Sequence, residues 1–282
     1  MCARAGGSDA GRVVIGGSLV WIAVALGIVE GLTEFLPVSS TGHLILVSGW
    51  LAFPEEKAVA FEMFIQLGSM LAVVWFYRTK LRAVVAALPY DADARAFAAK
   101  VILAFVPAAV AGLLFHRWIV RVLFGPLPVA ASLALGGVLL IAIDRPRVRP
   151  AVTVALEQVT WTQALVIGCV QVASLWPGMS RAGATIIGGL LAGLSRRAAL
   201  EFSFFLAMPT LGAASLFALW QGRARLETAD TPVFAAGFAV SFLVALASIA
   251  VLLRYVRDHD LRPFGWYRLA LAALVAASVL VG

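Results

Sequence analysis

Charge is scarce in this chain of 282 residues: 13% of positions are Asp, Glu, Lys or Arg, 62% are hydrophobic, and the mean hydropathy is +0.97. Soluble domains carry roughly 25% charged residues, so most of the chain has to face lipid or a buried bundle. At about 20 residues per helical span, the length holds roughly six to eight spans and leaves no room for a sizeable soluble domain. Cysteine is nearly absent too. Cys2 and Cys169 are too few and too far apart for a metal cluster, and Cys169, inside an apolar segment, reads as a small core residue. No apolar run precedes Cys2, so no cleavable leader is expected. The net charge is +7, but aromatic residues are not interleaved with a basic patch, which sets nucleic acid aside as a partner. Cationic loops retained on the cytoplasmic side explain the excess.

Six apolar segments read as full spans: 61–77, 99–118, 129–143, 199–220, 232–254 and 266–281. Two others, 19–51 and 161–194, are apolar at both ends and broken in the middle by Pro, Ser, Gly and charge. Each is too short to cross twice as two full helices. The expected form is a re-entrant helix–loop–helix, because irregular backbone at membrane depth is tolerated only inside protein or along a wet cavity. The fold expected is therefore an all-α integral membrane protein, with about six transmembrane helices and two re-entrant segments.

With loop 78–100 inside, the cationic loops alternate, leaving roughly two Lys or Arg inside for each one outside. Arg268 counts among the inner ones. The first broken segment then enters from outside and the second from inside, each followed by three spans. This is an inverted-topology repeat: a tail over 1–16, repeat 1 over 17–150 and repeat 2 over 151–282. Aligning Pro37 with Pro177 places Ser40 on Ser180 and Glu34 on Ser174, while Gly27 with Gly168 and Glu30 with Gln171 need a slip of one residue. FEMF (61–64) and EFSF (201–204) follow at corresponding places, which pairs Glu62 with Glu201 as helix-opening residues. Inverted repeats with broken helices place a binding site near the midplane, where the halves meet.

Glu30 and Glu34 are four apart on an apolar helix, so both carboxylates share a face. Each costs about 2.5–3.5 kcal/mol at the bilayer centre on insertion scales. Two carboxylates one turn apart suit a hard divalent cation or a general base; an ion pair with Arg181 is the structural alternative. Pro37 ends that helix, and Ser39, Ser40, Thr41, Gly42 and His43 follow. A hydroxyl there can cap the returning helix, but its N-terminus inside a pocket is also an anion site. Pro177-Gly178-Met179-Ser180-Arg181 repeats the design, running on to Thr185. Gly178 allows close backbone approach, Ser180 can cap, and Arg181 suits a phosphate bidentately. Gln66, Gln171 and Ser174 are secondary candidates.

EGLTEFLPVSSTGH (30–43) and PGMSRAGAT (177–185) resemble the two signatures of the bacterial undecaprenyl-diphosphate phosphatase family of the bacitracin-resistance type, and the likeness runs from about Trp21 to the C-terminus. The resemblance implies hydrolysis of a C55 polyprenyl diphosphate lipid to the monophosphate, recycling the carrier for cell-wall glycan and giving bacitracin resistance. It implies a multi-pass protein of the bacterial plasma (inner) membrane, with a site opening to the outer, periplasmic face. It implies a divalent cation, Mg2+ or Ca2+, with Glu30 and Glu34 as ligands or as activators of a nucleophile. Ser40 would be the nucleophile, His43 the general acid or base, and Arg181 the holder of the diphosphate. Ser39, Thr41, Ser180, Thr185 and Gly178 would contact substrate. The partners expected are that lipid, the bilayer and a second copy of the chain. Attack by an activated water fits the same residues, and so does a transporter or flippase of the lipid phosphate.

Overall fold

The computed structural model describes residues 9–144, 151–222 and 228–281. Among these the chain is helical, with short 3-10 turns and an isolated bridge between Thr153 and Leu194. The first broken segment forms α1 (Asp9–Thr33) and α2 (Ser40–Trp50). There follow α3 (Glu55–Phe76), α4 (Arg78–Ala87), α5 (Ala92–Val122) and α6 (Pro126–Ile143). The second broken segment forms α7 (Trp161–Gln171) and α8 (Arg181–Leu191), followed by α9 (Arg196–Gly222), α10 (Thr231–Asp258) and α11 (Arg262–Val281). Each of the six expected spans falls on one helix. By length and composition, α3, α5, α6, α9 and α10 can cross a membrane, as expected of an all-α membrane protein. The sixth span, α11, is not among those five, and it carries Arg268.

Both broken segments are helix–loop–helix units. The first helix reaches back to Asp9, into the segment expected as a tail. Residues 1–8 of that tail, and the arginines of 145–150 and 223–227, lie outside the described residues.

The pairing of helices carries the repeat. α1 packs on α10 and α7 on α5; α3 packs on α10 and α9 on α5; α3 with α9, and α6 with α11, pack on their own counterparts. Exchanging the two halves returns these six pairs, while the packing of α8 on α9 has no comparable α2–α3 counterpart. Close approach does this work, since lipid gives apolar helices no hydrophobic reason to associate. A Cβ on Gly27 would sit 2.6 Å from the Gly237 carbonyl oxygen, and one on Gly168 would sit 2.5 Å from that of Ala104. Polar contacts add to this: the Ser241 hydroxyl donates to the Ile65 carbonyl at 2.6 Å, joining α10 to α3. The largest buried cluster includes Phe35, Val73, Ile186, Leu200, Phe204 and Ile249, and so encloses the turn after α1.

The helix starts correct the alignment made on proline. Ser39, not Ser40, is the cap of α2, and Ser180 is the cap of α8; each accepts from the backbone N–H three residues on, Gly42 and Gly183. Ser39 therefore corresponds to Ser180 and Ser40 to Arg181. In that register Gly27 falls on Gly168 and Glu30 on Gln171 without a slip, and Glu62 falls on Ser203. Glu62 lies two turns inside α3 and so does not open it, and Glu201 pairs with Arg197 at 2.9 Å. Cys169 is exposed on α7, not in the core. Its face of the helix points outward, where a small polarizable thiol meets no packing demand.

Candidate active site

Leu36 precedes Pro37 and is held out of the α region, so α1 ends and the chain turns through 34–39 before α2 begins. Ser39 caps α2 with φ 74° and Ser180 caps α8 with φ 67°. Non-glycine residues in that region cost on the order of 1–3 kcal/mol, and such strain clusters at functional sites. Both caps are the last residue of a Pro-containing turn, which aims the next side chain, Ser40 or Arg181, at the junction between the loops. Gly178 is required where it stands. Its φ is 94°, and a Cβ would lie 2.2 Å from the Ser132 hydroxyl.

Glu34 sits at that junction, buried. One carboxylate oxygen accepts from the Ser40 hydroxyl at 2.6 Å. The other accepts from Arg181 Nη2 at 3.2 Å. A single carboxylate from the first loop thus holds a hydroxyl of its own loop and the arginine of the second. Arg181 is fixed from behind as well. Its Nη1 donates to the carbonyl (3.0 Å) and hydroxyl (3.2 Å) of Ser203 on α9, and its guanidinium lies 5.7 Å from the Phe35 ring centre. Its buried Nε has no hydrogen-bond partner. A buried donor without a partner calls for a ligand or water, and a guanidinium with a free edge suits a phosphate oxygen.

The remaining candidates divide. Ser39 and Ser180 act as caps, with Ser39 buried. Thr185 is buried behind Arg181, donating to the Arg181 carbonyl at 2.9 Å and lying 2.7 Å from the Ser203 hydroxyl. It supports the arginine and does not face the junction. Thr41 is half-buried on the first turn of α2. His43 is not on Ser40: Nδ1 lies 2.7 Å from the Ser39 carbonyl and Nε2 lies 2.7 Å from the Tyr267 hydroxyl. Glu30 is 1% exposed, and its Oε1 has no hydrogen-bond partner. Gln66, Ser69 and Gln171 also keep buried polar atoms without partners. A cavity of about 690 Å³ lined by Tyr255, Asp258, His259 and Arg262 touches none of these residues.

Residue order gave no hint of Arg268. Counted above as a loop cation, it is 0% exposed inside the bundle. Its guanidinium donates to five backbone carbonyls: Leu133 (3.2 Å), Ser132 (3.3 Å), Pro37 (3.3 Å), Gly178 (3.1 Å) and Met179 (2.8 Å). The last three belong to the two loops. A cation on α11 therefore ties both turns to each other and to α6, and in the turns it answers carbonyls that no helix satisfies. The sign of its charge placed it in a loop by the positive-inside rule; its long-range contacts overrode that rule.

The model of the family described as bacitracin resistance protein BacA matches residues 23–274. The chain belongs to this family. It is 49% identical over 259 residues to the undecaprenyl-diphosphatase of Nitrosospira multiformis, covering 91% of this chain and 94% of that one. It is 53% identical over 258 residues to the undecaprenyl-diphosphatase of Sorangium cellulosum, covering 90% and 84%. The enzyme of that name from Aromatoleum aromaticum is 44% identical over 257 residues, covering 91% and 93%. In this BacA family member, the Glu34 junction and the Arg268 tie both lie inside the matched segment.

Whether the site suits a divalent cation is decided by its donors. Among the described residues no group of three or more His, Cys, Asp or Glu could hold a metal ion. Glu34 has both oxygens engaged, while Glu30 keeps one buried oxygen open. Mg2+ is commonly held by one or two carboxylates with substrate phosphates and waters, and the donor set fits that pattern.

Proposed function

We propose that this chain hydrolyses undecaprenyl diphosphate to undecaprenyl phosphate and inorganic phosphate, at a site built from both broken segments. The arrangement that carries this reading is Glu34, bonded at once to the Ser40 hydroxyl and to Arg181. A serine hydroxyl needs a base within reach to act as a nucleophile, and at 2.6 Å Glu34 is that base. Arg181 binds the terminal phosphate through its open Nε edge and offsets the charge that gathers there. Ser40 Oγ attacks the terminal phosphorus and its proton passes to Glu34. The bond to the bridging oxygen breaks, and the lipid monophosphate leaves. Water then attacks the phosphoserine, its proton passing to His43, while Ser40 recovers its own from Glu34. A divalent cation held by Glu30 and the diphosphate oxygens would supply further charge neutralisation.

The relatives named undecaprenyl-diphosphatase, with the multi-pass helical architecture, support the substrate and the membrane setting. The finer reading is an inner-membrane protein whose site opens to the outer face, where it confers bacitracin resistance. Broken helices at a midplane junction also suit transport. Transport needs neither a nucleophile nor a base on it. The test is phosphate release from undecaprenyl or farnesyl diphosphate by the full chain in detergent, with Mg2+ or Ca2+ and no bilayer to cross. Release of one phosphate per lipid is expected. Intact diphosphate after prolonged incubation would favour the transporter.

A further inference from the structure

His43 has its ring nitrogens on two different elements. Nδ1 is 2.7 Å from the Ser39 carbonyl, one turn back along the chain. A carbonyl only accepts, so Nδ1 carries the hydrogen. That leaves Nε2 of the neutral imidazole as a lone pair, and the Tyr267 hydroxyl, 2.7 Å away, donates to it. The two rings lie nearly parallel, 7° apart, with centres 5.5 Å apart.

Tyr267 is aimed by its neighbour. Arg268, the next residue on α11, is anchored to five carbonyls, two of them on α6 and three on the loops. The α11 backbone at 267 is thereby fixed against the same turns that carry Ser40 and Arg181. Tyr267 itself is half-exposed.

We propose that Tyr267 is a proton relay for His43: its hydroxyl donates to Nε2 of an imidazole that the Ser39 carbonyl holds in the Nδ1–H form. The consequence is a division of labour. Glu34 serves Ser40 in the first step, and His43 serves the water that opens the phosphoserine in the second. In that step the water oxygen bonds to phosphorus and the P–Oγ bond breaks. The water proton goes to the Tyr267 oxygen as the Tyr267 hydroxyl proton passes to Nε2, and Oγ takes the proton held by Glu34. This rests on the phosphatase reading. It extends that reading to a residue outside both sequence signatures, 224 positions from His43.

The decisive variant is Tyr267→Phe in the full chain, which keeps the ring and removes only the hydroxyl. Turnover is expected to fall roughly tenfold, a fraction of what general acid–base catalysis supplies, with KM within about twofold of wild type. The second readout does not depend on activity. His116 and His259 are the other histidines; with both replaced by Gln, ¹⁵N resonances of the remaining imidazole report its tautomer. A single Nδ1–H form is expected in both chains, with the Nε2 resonance moved upfield by the hydrogen bond when Tyr267 is in place and shifted downfield in the Tyr267→Phe variant. Wild-type turnover in the variant, or an Nε2 resonance that does not move, overturns the proposal. Should the unsubstituted chain release no phosphate, the phosphatase reading fails instead, and the Nε2 resonance alone then judges the bond between Tyr267 and His43.

Discussion

Replacing Ser40 with alanine is expected to lower phosphate release from an isoprenyl diphosphate by about a thousandfold or more, with KM near wild type. Groups that act as a nucleophile–base unit lose most of their rate enhancement when either is removed, while binding groups leave a residual rate. Ser40 is not needed to hold the fold. The α2 cap is Ser39, and the hydrogen bond described for the Ser40 side chain is the one to Glu34. Arg181 keeps its bonds to Glu34 and Ser203 in the variant, so the diphosphate still binds. The measurement is a steady-state rate over a range of substrate concentrations. Near-normal turnover would remove Ser40 as nucleophile and assign the attack to a water activated by Glu34 or Glu30.

Replacing Arg268 with methionine is expected to abolish turnover and to lower stability together. Methionine fills much of the volume but donates nothing to the five carbonyls. Those of Ser132 and Leu133 lie within α6, but those of Pro37, Gly178 and Met179 lie in turns, and each stranded acceptor costs about 1–3 kcal/mol. A loss of about 3 kcal/mol or more in total is expected. The loops would then separate from α6, the Glu34–Arg181 contact would loosen, and a displacement of about 1 Å at a reacting centre can cost a hundredfold in rate. Arg268→Lys should not rescue, because three donors on one nitrogen cannot span carbonyls contributed by both loops and α6. Thermal unfolding in detergent and phosphate release check the two halves of this expectation. An Arg268→Met chain that melts and turns over like wild type would show that the turns hold without the tie.

Much of this was legible in residue order, and what was missed has physical causes. Span positions follow from apolar runs, and the breaks at Pro37 and Pro177 follow from the proline effect on the preceding residue. Glu30, Glu34, Ser40 and Arg181 stood out because polar groups at that depth are costly. The repeat was visible but one residue out of register. Proline anchors an alignment by identity, whereas structure aligns helix starts, and the first turn has one residue fewer between proline and cap than the second. The Glu62–Glu201 pairing failed because Glu62 lies two turns inside α3 and does not open it. Arg268 and Tyr267 were hidden because their partners lie far along the chain, 231 positions for Pro37 and 224 for His43. No local pattern encodes such contacts. Thr185 was read as a substrate donor because it sits in the second signature; one helical turn puts it behind Arg181 instead.

In the proposed function the second loop supplies an arginine to the carboxylate and hydroxyl of the first, making one diphosphate site. The most direct measurement is phosphate release from undecaprenyl diphosphate by the full chain and by Arg181→Met, both in detergent and both checked for the same elution as folded protein. Release by the unsubstituted chain, with a loss of at least about a hundredfold in the variant, is the predicted result. An Arg181→Met chain working at the wild-type rate would contradict it, for the first loop would then be acting alone.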